Sequence, residues 1–80
     1  MKIINQIRRI ERLDYLIRSR ATGTPAELAC KLGMSQSQTY SFLKLVREEL
    51  DAPIFYSRSE KCYYYGENVK FIFGFHPEQN

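Results

Sequence analysis

The sequence predicts one α+β domain in which three helices precede a two- or three-stranded antiparallel sheet. Apolar residues recur every three or four positions up to about residue 50, a period typical of amphipathic helices. Two helix-capping patterns divide this region into segments. After Pro53, aromatic and strand-favouring runs replace the helical period. A chain of 80 residues has the size of a single domain, so we expect residues 1–80 to form one unit.

The first helix is predicted over residues 2–20. Its apolar positions lie three or four residues apart with charged residues between them, and they are Ile3, Ile7, Ile10, Leu13 and Ile17. Arginines of this helix are flanked by Glu11 and Asp14, so we interpret these charges as a solvated, partly paired face. Gly23 then stands where the end of a helix favours glycine.

The second helix has a strong start signal. Thr24 is suited to the N-cap, Pro25 to the first helical position, and Glu27 to the closing of a capping box. These residues predict a short helix over 25–32, which Gly33 ends.

The third helix begins at a second capping pattern, formed by Ser35 and Gln38, and is predicted to run to about residue 50. Its core face is predicted to comprise Thr39, Leu43, Val46 and Leu50. Its opposite face comprises Ser37, Ser41, Lys44 and Glu48. Pro53 limits the helix because the residue before a proline disfavours helical geometry.

The strands follow the third helix. Residues 54–56 and 62–65 are strand-favouring runs joined by the polar segment 57–61, and they predict a β-hairpin over 54–66. A period-two alternation predicts a third strand over 69–75, with Val69, Phe71, Phe73 and Phe75 on one face. Such an apolar terminal strand favours a homodimer, because it would otherwise leave an exposed edge.

Composition excludes several classes of protein. The chain is 44% hydrophobic and 26% charged, which is typical of a globular protein and too apolar for a disordered one. Cys30 and Cys62 lack a CxxC pattern, so we predict reduced thiols and no metal site, and we interpret Cys30 as a small buried residue. No stretch reaches the length of a membrane span and no signal peptide is evident, which predicts a cytoplasmic protein.

The second and third helices carry a resemblance to a known family. Residues 24–35, which read TPAELACKLGMS, together with Thr39, Tyr40 and Leu43, resemble the winged helix-turn-helix repressors, especially the N-terminal domains of the DeoR-like and biotin-repressor-like groups. The resemblance is close over these helices and looser over the first helix and the hairpin. It implies a helix-turn-helix over 24–50, a wing over 54–66, and a DNA-binding transcriptional regulator.

The resemblance also implies which residues meet duplex DNA. The start of the third helix would enter the major groove, and the hairpin tip and second helix would meet phosphates. The nine residues concerned are Lys31, Ser35, Gln36, Ser37, Tyr40, Ser41, Lys44, Arg58 and Lys61. Gln36 is suited to an adenine edge, and Tyr40 and Lys44 are suited to the backbone. The competing interpretation is that these are solvated polar residues on an exposed helix. The chain also has Gln38, Thr39 and Ser41 where the family often has a Thr-Ile or Thr-Val pair and an arginine, so the recognition face carries little positive charge.

The net charge of +3 is compatible with nucleic acid but does not select it. The alternative function is a protein-interaction or dimerisation module that uses the aromatic strands, and a positive stripe across the third helix and hairpin would favour DNA over it. We expect no enzyme, no cofactor and no small-molecule ligand, because so short a domain buries only a small core.

Overall fold

The computed structural model describes residues 3–69 and 71–72. It is a small α+β fold of three helices followed by a two-stranded antiparallel hairpin, as the sequence predicts at this level. The elements are α1 (Ile3–Arg18), α2 (Pro25–Leu32), α3 (Gln36–Glu49), β1 (Ile54–Ser57) and β2 (Cys62–Tyr65).

Local hydrogen bonds at the start of α2 and α3 confirm both predicted capping boxes. The Thr24 hydroxyl accepts from the Glu27 amide at 3.3 Å, and the Glu27 carboxylate accepts from the Thr24 amide at 3.0 Å. Ser35 and Gln38 exchange the equivalent bonds at 3.1 and 3.0 Å. Between the two helices, Gly33 has a φ of 68°, a left-handed conformation that glycine adopts without steric cost. The turn between α2 and α3 is therefore fixed by its own residues.

The end of α1 differs from its predicted position by two residues. The amide of Ala21 donates to the Leu16 carbonyl at 2.8 Å, which closes the helix through a wide turn. Arg20 has a φ of 55° within this turn. The backbone thus leaves the helix before residue 20. The predicted start of the helix, Lys2, lies outside the described residues.

The hydrophobic core lies where α1, α2, α3 and the hairpin meet. Its buried residues are Leu13, Leu16, Ile17, Leu28, Leu32, Phe42, Leu43, Val46, Ile54 and Tyr63. The prediction that Leu50 belongs to the core face is wrong, because Leu50 is 46% exposed. It is the C-cap of α3, and Asp51 takes a φ of 53° directly after it, so the chain leaves the helical course at this point.

The interpretation of Asp14 as a solvated charge is also wrong, because only 7% of the residue is exposed. Its carboxylate accepts a hydrogen bond of 2.6 Å from the Tyr65 hydroxyl, and the Arg18 guanidinium lies 3.8 Å away. Burial, and next the hydrogen bond to Asp14, raise the pKa of Tyr65 above its ordinary value. The pair therefore joins α1 to β2 across the core.

The hairpin pairs Ile54 with Tyr65 and Tyr56 with Tyr63 in antiparallel register. Thr22, in the loop between α1 and α2, lies on the outer edge of β2, where its buried hydroxyl accepts the Tyr63 amide at 2.8 Å. One side chain thus takes the place of a neighbouring strand at that edge. Residues 69, 71 and 72 are in no strand, and the rest of the predicted third strand lies outside the described residues. The homodimer that was predicted from this strand therefore stays a prediction.

Candidate functional site

The exposed side of α3 brings together five of the nine predicted site residues. Positions 37, 41 and 44 lie on the side of the helix opposite Thr39 and Val46, and positions 36 and 40 lie between that side and Leu43. The five, which we call the outer face of α3, are Gln36, Ser37, Tyr40, Ser41 and Lys44, and all are exposed. The outer face is therefore polar and accessible along the first two turns of the helix.

This face carries little charge. Lys44 is its single cation, and Glu48 follows one turn later on the same side. Arg47 lies beside the outer face, and its Nε donates to the Ile54 carbonyl at 2.9 Å, which ties α3 to β1. The chemistry of the outer face is consequently that of neutral hydrogen-bonding groups, with an amide, two alcohols and a phenol.

Ser35 and Lys31 are already engaged in contacts within the fold. The Ser35 hydroxyl serves the capping box of α3. The Lys31 ammonium donates to the Ala21 carbonyl, while the Lys31 carbonyl accepts from Arg12 Nε at 3.1 Å. These bonds tie Lys31 to α1 and to the loop that follows it. A ligand that binds the Lys31 ammonium would have to share it with the Ala21 carbonyl or replace that carbonyl.

Arg58 and Lys61 lie where the sequence predicts, in the hairpin turn formed by residues 58–61. Both side chains are exposed, and Lys61 has a φ of 54°. The Glu60 amide donates to the Ser57 hydroxyl at 3.2 Å, which closes the turn. The turn thus presents two cations on either side of Ser59 and Glu60.

Arg20 is a neighbour of this turn that sequence reasoning missed. Its Nη1 lies 3.2 and 3.1 Å from the two carboxylate oxygens of Glu60. The two residues are 40 positions apart, so no local pattern could predict their contact. Their ion pair joins the hairpin turn to the end of α1.

A second carboxylate lies near the turn. Hydrogen bonding to Thr24, chiefly to its backbone, lowers the pKa of Glu27, and the positive charges of Lys31 and Lys61 lower it further. Lys61 is therefore close enough to the start of α2 to interact with Glu27. The cations around the hairpin turn are accompanied by nearly as many carboxylates.

The concave regions lie elsewhere. An open groove of about 480 Å³ runs between the end of α1 and the segment after β2, lined by Arg18, Arg20, Tyr64 and Glu67 among others. A smaller apolar cavity of about 220 Å³ lies between α1, the end of α3 and Phe71. Neither is lined by any of the nine predicted site residues. The candidate site is therefore a surface rather than a pocket.

The described residues contain no group of three side chains suited to hold a metal ion. Both cysteines are free; Cys62 is buried, but the prediction that Cys30 is buried is wrong, because it lies on the exposed side of α2. None of the helices in the described part of the chain is long and apolar enough to cross a membrane.

Comparisons of the chain with models of protein families, with curated proteins and with solved structures give no match.

Proposed function

We propose that the chain is a winged helix-turn-helix domain that binds specific duplex DNA sequences and regulates transcription. The observation that carries this proposal is the outer face of α3, whose five side chains are exposed and polar while the opposite side of the helix packs into the core. An α-helix fits the major groove of B-DNA, where each base pair presents a distinct pattern of donors and acceptors. A turn fixed by Gly33 and by capping on both sides would hold such a helix in one orientation.

The side chains of the outer face divide by the contacts that they are suited to make. Gln36, at the start of α3, carries an amide that can bond an adenine edge in two places. Ser37 and Ser41 are suited to either bases or phosphates. Tyr40 and Lys44 are suited to the phosphate backbone, because a phenol donates one hydrogen bond and an ammonium adds charge.

The hairpin turn supports the same proposal. Arg58 and Lys61 are exposed at the end of the hairpin, where cations can meet phosphates or enter the minor groove. Lys31 would add a backbone contact from α2 if its ammonium exchanged the Ala21 carbonyl for a phosphate. In this arrangement α3 reads sequence, while the turn and α2 fix the position of the protein on the duplex.

A protein-interaction module is the second candidate, and a specific observation favours it. Tyr40 is 52% exposed, Leu45 is 50% exposed and Phe55 is 52% exposed, so large apolar groups lie on both α3 and the hairpin. A protein partner would bury these groups. Its binding would depend little on salt, whereas even the few phosphate contacts open to this chain would make DNA binding weaken as salt rises.

Selection of bound sequences from a random duplex pool, at two salt concentrations, tests the proposal. We expect a recovered motif whose affinity falls with salt. Gln36→Ala should reduce discrimination at one base pair by about 1–3 kcal/mol, whereas Asn5→Ala, which removes an exposed amide from α1, should leave it unchanged.

Lys44→Ala should weaken binding to all sequences alike and reduce the salt slope by about one. Its matched control is Arg8→Ala, which removes a cation from the exposed part of α1. Failure to recover any motif, or equal effects of each variant and its control, would reject α3 as the DNA-reading element.

A further inference from the structure

An ion pair lies where the hairpin turn approaches the end of α1, and two further cations belong to the same turn. Arg58, Glu60 and Lys61 belong to the turn, and Arg20, in the turn that follows α1, contacts both carboxylate oxygens of Glu60. The pair is open to water, since more than half of each side chain is exposed. Pairs of this kind contribute little to stability, which indicates that the two charges can exchange partners without unfolding the chain.

The carboxylate of Glu60 has no part in building the turn. The turn is closed by the Glu60 backbone amide, which donates to Ser57, and by a bond between the hydroxyls of Ser57 and Ser59. Arg20 is held independently, because the Ala21 amide bonds back to Leu16. Glu60→Gln would therefore preserve the backbone while removing the negative charge that neutralises Arg20.

We infer that Glu60 restrains phosphate binding at the hairpin turn by neutralising Arg20, and this inference rests on the proposed function. A duplex approaching Arg58 and Lys61 brings phosphates toward Arg20 as well. Glu60 repels those phosphates and competes with them for the guanidinium. The pair thus lowers affinity for DNA of any sequence and leaves a larger share of the binding to the contacts of α3.

The test compares Glu60→Gln with Glu11→Gln, which removes the same charge from an exposed position on α1. Affinities for the selected duplex and for a random duplex are measured by fluorescence anisotropy at about 50 and 200 mM salt. One added phosphate contact steepens the salt slope by about 0.9, so E60Q should lose about 3.5-fold more affinity than E11Q between the two conditions. At the lower salt, E60Q should bind the random duplex more tightly than the wild-type chain does.

Two further variants assign the effect to Arg20. R20Q leaves Glu60 without its partner and should weaken binding, while R20Q/E60Q should lose the steeper salt slope of E60Q. Urea midpoints of all variants should stay close to the wild-type midpoint, because the pair is exposed.

The outcomes separate the inference from the proposed function. Equal salt slopes for E60Q and E11Q, or a slope that stays steep in R20Q/E60Q, would overturn the inference while DNA binding stands. Absence of duplex binding by the wild-type chain and by every variant would overturn both.

Discussion

The hydroxyl of Thr22 satisfies the outer edge of β2 at Tyr63. Thr22 is fully buried, and its Oγ1 accepts the Tyr63 amide at 2.8 Å and donates to the Gly23 carbonyl at 3.2 Å. Thr22→Val keeps nearly the same shape but removes both bonds. It leaves the Tyr63 N–H buried without an acceptor.

A buried donor that loses its acceptor costs about 1–3 kcal/mol, so we expect T22V to lower the free energy of unfolding by about 2 kcal/mol. That is a large fraction of the roughly 4–12 kcal/mol typical of a domain of this length. Thr39→Val is the matched control, because the Thr39 hydroxyl is equally buried and donates to the Ser35 carbonyl at 2.8 Å. This carbonyl keeps the Thr39 amide at 2.9 Å, so T39V should cost about 0.5–1 kcal/mol.

Urea unfolding followed by far-ultraviolet circular dichroism measures both variants, since the chain has no tryptophan to report by fluorescence. With a slope of about 1 kcal/mol/M, the midpoint should fall by about 2 M for T22V and by less than about 1 M for T39V. An equal or larger loss for T39V would refute the idea that the orphaned Tyr63 amide dominates the cost.

Three further substitutions test other contacts. Tyr65→Phe removes the bond to Asp14 and should cost about 1.5–3 kcal/mol of unfolding free energy. Because the pKa of Tyr65 is raised, the stability that the Tyr65 hydroxyl contributes should be complete below pH about 10 and lost as the pH rises further. Glu27→Gln should flatten the acid limb of stability, because the lowered pKa of Glu27 makes its contribution present at neutral pH and lost as the pH falls below about 4. Gly33→Ala should cost about 1 kcal/mol, since its φ of 68° strains alanine while the space around it is open. Urea midpoints across pH measure all three.

Two of these substitutions, those at Tyr65 and Gly33, have a matched control. Tyr64→Phe removes a neighbouring hydroxyl that forms no hydrogen bond with another described residue, so its cost should stay below about 0.5 kcal/mol. Gly23→Ala should cost more than the change at Gly33, because its Cβ would lie 2.8 Å from the Glu27 carboxylate as well as being strained. Because the two glycines have nearly the same φ, equal costs would show that backbone strain alone sets the cost.

The parts of the fold that sequence predicts well are those determined by neighbours along the chain. Both capping boxes and the bounds of α2 follow from residues within four positions of each other, and they are confirmed. The hairpin follows from two strand-favouring runs separated by a short polar turn. The side of α3 that faces solvent also follows from the sequence, because helical periodicity assigns it without knowledge of the elements against which α3 packs.

The missed features depend on contacts between distant segments. Asp14 and Glu60 are residue types that usually lie on the surface. Only the packing of α1 and its following turn against the hairpin buries Asp14 and pairs Glu60 with Arg20. The bond from Tyr63 to Thr22 is likewise separated by 41 positions. Cys30 differs, since Leu28, Ala29 and Leu32 define the buried side of α2, and the helical period alone could have placed this cysteine outside it.

The distribution of charge links the proposed function to its salt dependence. Lys44 is the one cation of the outer face of α3, and in the hairpin turn Glu60 opposes Arg58 and Lys61. A domain built in this way has few charges that could release counterions, so its affinity for arbitrary DNA should be weak and its salt slope shallow. Specific binding would then depend on the hydrogen bonds of neutral groups such as Gln36, which require the correct bases and contribute nothing on the wrong ones. Low charge on α3 is therefore compatible with DNA binding when selectivity comes from base contacts rather than from attraction to phosphates.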